Sequence, residues 1–146
     1  MCVAGCGEVE TAQHLFVSCP IFSELWRHVR EWIGVCGADP IDVSDHFLQF
    51  TYLTGGAATR RSFMQLLCLL CVWMLWTERN NRQFNNTRIN IHQLFEKVQI
   101  NSYWWLKTAN AVFVLGVHNW LACPILVWVL DSFPYVVSSI LIEHFV

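Results

Sequence analysis

The sequence predicts an all-α protein: a short N-terminal knuckle followed by three or four helices, then a hydrophobic C-terminal tail whose structure it leaves open. Three observations predict this. Cys2, Cys6, His14 and Cys19 crowd four soft-ligand side chains into eighteen residues at the start. Apolar residues recur at helical spacing through 21–33 and 90–109, and an almost wholly apolar stretch lies between them. The composition is 55% hydrophobic and 14% charged, with eight Trp and ten Phe, which gives the chain ample surface to bury and argues against general disorder.

The knuckle reads as C-x3-C-x7-H-x4-C. Three cysteines and one histidine are a common donor set for structural zinc, a CCHC-type site. Two thiolates close in sequence clip the ion through a tight turn, and a short connector brings the second pair back from the other side. Gly5 and Gly7 flank Cys6, where the backbone must bend sharply or take a positive φ. His14 and Cys19 are five residues apart, one helical turn plus a residue, so a short helix or turn can present both inward. The spacing by itself leaves a second reading open, in which the cysteines are small buried hydrophobes.

The residues around the ligands favour the metal. The segment GCGEVETAQHLFVSCPIFSELW resembles the zinc-binding domain at the C-terminal end of reverse transcriptases from plant LINE-type (non-LTR) retrotransposons. The matching residues are Cys2, Cys6, Glu10-Thr11, His14-Leu15-Phe16, Cys19-Pro20 and Trp26, and a second similar string, WMLWTERNNRQF, runs from Trp73 to Phe84. The resemblance covers residues 1–109: a knuckle at 1–20, then helices over 20–109. It implies a Zn2+ ion on Cys2, Cys6, His14 and Cys19, and a module that helps a parent RNA-directed DNA polymerase engage RNA or DNA. Two departures stand out. The first cysteine pair is separated by three residues where the family more often has two, and Cys2 lies so near the terminus that fraying would hold it loosely.

Along the chain, Pro20 is placed to open a helix over 21–33, with Phe22, Leu25, Trp26, Val29, Trp32 and Ile33 on one face. Gly34 or Gly37 ends it, and His28 is read as a surface residue. A polar connector over 38–58 holds a short helix from Ser44, its expected N-cap, to Tyr52. Asp42, Asp45 and His46 together invite a metal or acid–base reading, but a solvated helix start accounts for them. The central helix spans 59–85. Its apolar run 63–76 is fourteen residues long, short of the roughly twenty that cross a bilayer, and reads as bundle core. Cys68 and Cys71 pack within it, and Glu78 pairs with Arg82 along its surface. Asn90 caps a last helix over 90–109, whose Tyr103, Trp104 and Trp105 lie beside Lys97 and Lys107. Such aromatics with interleaved bases can stack on single-stranded nucleic acid, although an aromatic stripe at helical spacing is more often core.

Residues 110–146 differ in character. From Thr108 to Leu130 there are 23 residues without charge, enough for a membrane span, interrupted by His118, Asn119 and Pro124. A membrane segment or read-through sequence are the two expectations there.

Net charge is −2, unevenly spread: −5 over residues 1–58, +4 over 59–97 and −1 beyond. Only the basic third offers a footprint for nucleic acid, and Arg79, Arg82 and Arg88 are its candidate phosphate contacts. An odd number of cysteines and the absence of a secretory pattern point to a reducing, intracellular setting, nucleus or cytoplasm. The sequence carries no Asp-Asp polymerase string, no activated nucleophile and no phosphate-cradling glycine loop, so a non-catalytic fragment is expected. RNA or DNA, and the remainder of a reverse transcriptase, are the implied partners. The alternatives are a small membrane-associated protein anchored through 111–142, or a transposon relic without present function.

Overall fold

The computed structural model describes residues 1–37, 39–55, 58–109 and 116–124. Among these the chain is helical and without strands, as expected. A π-helical turn, His14–Ser18, follows the first loop, and five α-helices succeed it: α1 (Glu24–Ile33), α2 (Val43–Tyr52), α3 (Ala58–Phe84), α4 (Ile91–Ala109) and α5 (Val117–Ala122). The spine is α3, whose 27 residues make a rod about 40 Å long. It packs against α2 and α4, α1 and α5 pack against α4, and the π turn touches α2 and α3.

Local chemistry sets the helix ends. Pro20 does not open α1: residues 20–23 form a turn, and the helix starts at Glu24. At its other end Gly34 takes φ +71°, its N–H donates to Glu31, and the N–H of Val35 donates to the Arg30 carbonyl. That pair of bonds is a Schellman stop, which selects Gly34 over Gly37. For α2 the cap is Asp42, not Ser44: the Asp42 carboxylate accepts from the backbone N–H of Ser44 (2.8 Å) and Asp45 (3.2 Å). Asn90 and Gln93 exchange reciprocal side-chain-to-backbone bonds of 2.8 and 3.0 Å, a capping box that starts α4.

The core joins Phe22, Leu25, Trp26, Val29 and Ile33 to Phe50 of α2, Met64, Leu67, Leu70 and Leu75 of α3, and Leu94 and Val98 of α4. Cys68 and Cys71 are buried in it, and burial pushes the Cys68 thiol up to about 12. The central helix is not buried on all sides, however. Trp73, Trp76 and Phe84 are exposed. The Glu78–Arg82 pair is also no surface pair: their side chains are 2% and 8% exposed. Glu78 falls on the same face as Met64, Leu67, Cys71 and Leu75, so the helical register carries it inward. There its carboxylate accepts from Arg82 (2.6 Å) and from the Ile89 N–H (3.1 Å), while Arg82 donates to the Ile89 carbonyl (2.9 Å). The buried pair therefore satisfies both backbone groups of half-buried Ile89 in the turn between α3 and α4.

Short helix α5 is docked by tryptophans. Trp120 is fully buried and its indole N–H faces the Gln99 carbonyl (3.1 Å) and Ser102 Oγ (3.2 Å), while Trp32 donates to the Leu121 carbonyl (3.0 Å). Among the described residues no helix is long and apolar enough to cross a membrane. Most of the expected membrane segment, 111–115 and 125–142, lies outside the described residues.

Candidate metal centre

The first loop folds around its own backbone. The Gly5 N–H donates to the Cys2 carbonyl (3.0 Å), and the Cys2 N–H donates to Glu8 (2.9 Å). Gly5 and Gly7 hold φ of +83° and +90°, the conformation anticipated on either side of Cys6. Cys2 is therefore not frayed. It is tied at both backbone groups and only 5% exposed.

The second pair of ligands depends on the π turn. On an α-helix, residues five apart point about 140° away from each other. Here the Thr11 hydroxyl accepts from the His14 N–H (3.0 Å), and the Cys19 N–H donates back to the His14 carbonyl (2.7 Å). That i→i+5 closure brings both side chains to one side.

The result is a single cluster. The donor atoms of Cys2, Cys6, His14 and Cys19 all lie within 4.8 Å of one another. Cys2 Sγ and Cys19 Sγ are 3.9 Å apart, too far for a disulfide, and Cys6 Sγ is 3.2 Å from His14 Nε2. Cys2, His14 and Cys19 are buried, and Cys6 stands at the rim. All four predicted ligands converge, in a geometry compatible with one metal ion. Burial raises the Cys2 thiol to about 12, against the pull of the Ala4 backbone N–H. Cys6 is lowered, chiefly by the backbone N–H of Glu8. A coordinated cation would override burial and hold both as thiolates.

A carboxylate fastens the cluster to the bundle. Glu10 accepts from the Val3 N–H (3.1 Å) between the first two ligands and from Arg79 Nε of α3 (2.9 Å). Burial opposes its ionisation, yet the bonds from Val3 and Arg79 prevail and hold the carboxyl below its ordinary range. Trp26 supplies a second fastening, its indole N–H donating to the Phe16 carbonyl of the π turn (2.7 Å). In the sequence Glu10 was visible only as a letter of a resemblance, and Trp26 as that and as a residue on the apolar face of the 21–33 helix. Their work as outer supports of the ligands depends on contacts across the fold.

The three candidate phosphate contacts are not brought together as a patch. Arg79 is engaged with Glu10 and Arg82 is enclosed with Glu78 beneath the Phe22 ring, whereas Arg88 alone is exposed. Of the connector trio, Asp42 is the helix cap, while His46 is not solvated at all. Its side chain is 4% exposed, and neither ring nitrogen has a hydrogen-bond partner. An unpaired buried polar group costs about 1–3 kcal/mol. The sequence signal was its position four residues before Phe50 on an otherwise amphipathic helix. His28 is half-buried and stacked on Phe95 of α4, away from the ligands.

No family model matches this chain, and neither a curated protein nor a solved structure matches it.

Proposed function

We propose that the chain is a non-catalytic zinc-binding module of the kind its two strings resemble, in which Cys2, Cys6, His14 and Cys19 hold one structural Zn2+. The observation that carries this reading is the closed donor set. Four protein ligands converge within 4.8 Å, so a tetrahedral ion is left no open position for water or substrate. Tetrahedral zinc with thiolate bonds of about 2.3 Å sets its sulfurs roughly 3.8 Å apart. The 3.9 Å between Cys2 and Cys19 suits that spacing, and the 3.2 Å between Cys6 and His14 would open slightly on binding. The ion staples a loop with few apolar contacts of its own, a task in which metal binding is largely folding free energy.

The test is removal of the ion from the full chain. A chelator should lower the unfolding temperature and loosen the N-terminal amides, with recovery on adding zinc. Unchanged unfolding would exclude a structural role.

Contact with RNA or DNA, which the resemblance implies, then falls less to Arg79 and Arg82 than to the aromatic and basic residues of α4. Lys97, Ile100, Trp104 and Lys107 follow helical spacing along one exposed stripe of α4, and Lys107 lies 5.1 Å over the Trp104 ring. Binding through this stripe should weaken with salt and fail in Trp104→Ala, while Arg82→Lys leaves the salt slope unchanged.

A further inference from the structure

The four converging ligands are not equally accessible. Cys19 is wholly buried, and Cys2 and His14 nearly so, whereas Cys6 is only partly covered. Gly5 and Gly7, on either side of it, are exposed and border open space, with nothing within 4 Å of where a Cβ would stand. A closed tetrahedral shell bars substrate from the ion, but a coordinated thiolate keeps lone pairs of its own. An electrophile can therefore meet the sulfur without meeting the metal. Oxidation of cysteine follows thiolate character and exposure. Thiolate character is common to all three cysteines when they hold an ion; exposure singles out Cys6.

The same sulfur has partners within reach. The Sγ atoms of Cys2 and Cys19 both lie within 4.8 Å of it, so a modest closing movement makes a disulfide of about 2.05 Å. The remaining described cysteines lack this combination. Cys68 and Cys71 are buried in the core, and Cys36, although exposed, belongs to no ligand cluster among the described residues.

We propose that Cys6 is a peroxide-reactive residue whose oxidation is a redox switch on the metal centre, releasing the ion as Cys6 forms a disulfide with Cys2 or Cys19. The switch rests on the zinc site proposed above. In the first step the Cys6 thiolate attacks one oxygen of the peroxide, the O–O bond breaks, and hydroxide leaves a sulfenic acid behind. In the second, the Cys2 or Cys19 thiolate attacks the Cys6 sulfur; an S–S bond forms, the S–O bond breaks and a second hydroxide leaves. Two protons from solvent turn both hydroxides into water. Peroxide has then gained two electrons, one from each sulfur, and only His14 and one thiolate remain to hold the ion.

The experiment uses the full-length chain carrying Cys36→Ser, loaded with zinc and assayed for metal before any oxidant is added. Hydrogen peroxide is then supplied beside a colorimetric zinc chelator, and the products are mapped by mass spectrometry. The expected results are one zinc released per peroxide reduced, a disulfide from Cys6 to Cys2 or Cys19, and recovery with dithiothreitol and added zinc. Dimedone present with limiting peroxide should label Cys6 and spare Cys2 and Cys19. Cys6→His keeps four ligands without the rim sulfur and should release zinc at least about tenfold more slowly. Zinc retained under peroxide, dimedone on Cys2 or Cys19 instead, oxidation without the disulfide, or equally fast loss from Cys6→His would each overturn the switch and leave the zinc site standing. A chain without zinc before oxidation would overturn both.

Discussion

Glu10 and Arg79, 69 residues apart in the chain, meet in an ion pair of 2.9 Å with side chains 17% and 21% exposed. The same carboxylate holds the Val3 N–H between two of the clustered cysteines. One side chain thus ties the first loop to the long central helix, and the two strings that looked related to a single family touch through it.

The strap should show as coupling. Arg79→Leu and Glu10→Gln should each destabilise the protein by about 1–2 kcal/mol, and the double variant should fall short of the sum by about 1 kcal/mol. Urea unfolding of the four proteins measures this. Additive effects would mean the pair contributes nothing together.

The pair also makes a prediction about pH. Because the folded-state pKa of Glu10 is lowered, its contribution is fully present above the unfolded carboxylate value of about 4.3. It is lost as pH falls through the lower folded value. Glu10→Gln should therefore lose less stability than wild type on acidification from about pH 5 to pH 3.

Burial separates two superficially similar helical pairs. Glu78→Ala leaves Arg82 and the Ile89 N–H without their partner inside the protein and should cost about 3–5 kcal/mol. Glu24→Ala removes a contact to Arg27 in which both side chains are about half exposed, and should leave stability nearly unchanged. Denaturant midpoints for the two variants would reverse this order only if Arg82 found another acceptor.

The indole bonds predict a split between two tryptophans. Trp26→Phe removes the donor to Phe16 and should weaken metal affinity by about ten- to a hundredfold as well as stability. Trp32→Phe removes the donor to Leu121 and should loosen α5 without altering metal affinity. Competition with a colorimetric zinc chelator compares the two.

The ligand set and the helices were legible because both are local patterns. Cys2, Cys6, His14 and Cys19 lie within eighteen residues, and α1 and α4 announce themselves by spacing and by the capping chemistry of Asn90. What could not be read was pairing across distance. Arg79 looked like a free cation because a sequence displays charge without its distant partners, yet Glu10 absorbs it; the Glu78–Arg82 pair was readable from its i,i+4 spacing, but as a surface pair. The register of Glu78 with Leu67, Cys71 and Leu75 was a readable sign that this charge turns inward. His46 illustrates a weaker signal: among Ser44, Asp45 and Gln49, only its spacing of four residues to Phe50 marked the imidazole as one that turns inward.

The measurement that bears most directly on the central claim is zinc-edge X-ray absorption on the full chain, with metal content determined on the same sample. One zinc per chain, with three sulfurs at about 2.3 Å and one nitrogen at about 2.0 Å, is the predicted result, and Cys19→Ala should lose the metal. Absence of stoichiometric zinc, or an oxygen-rich shell unaffected by Cys19→Ala, would contradict it.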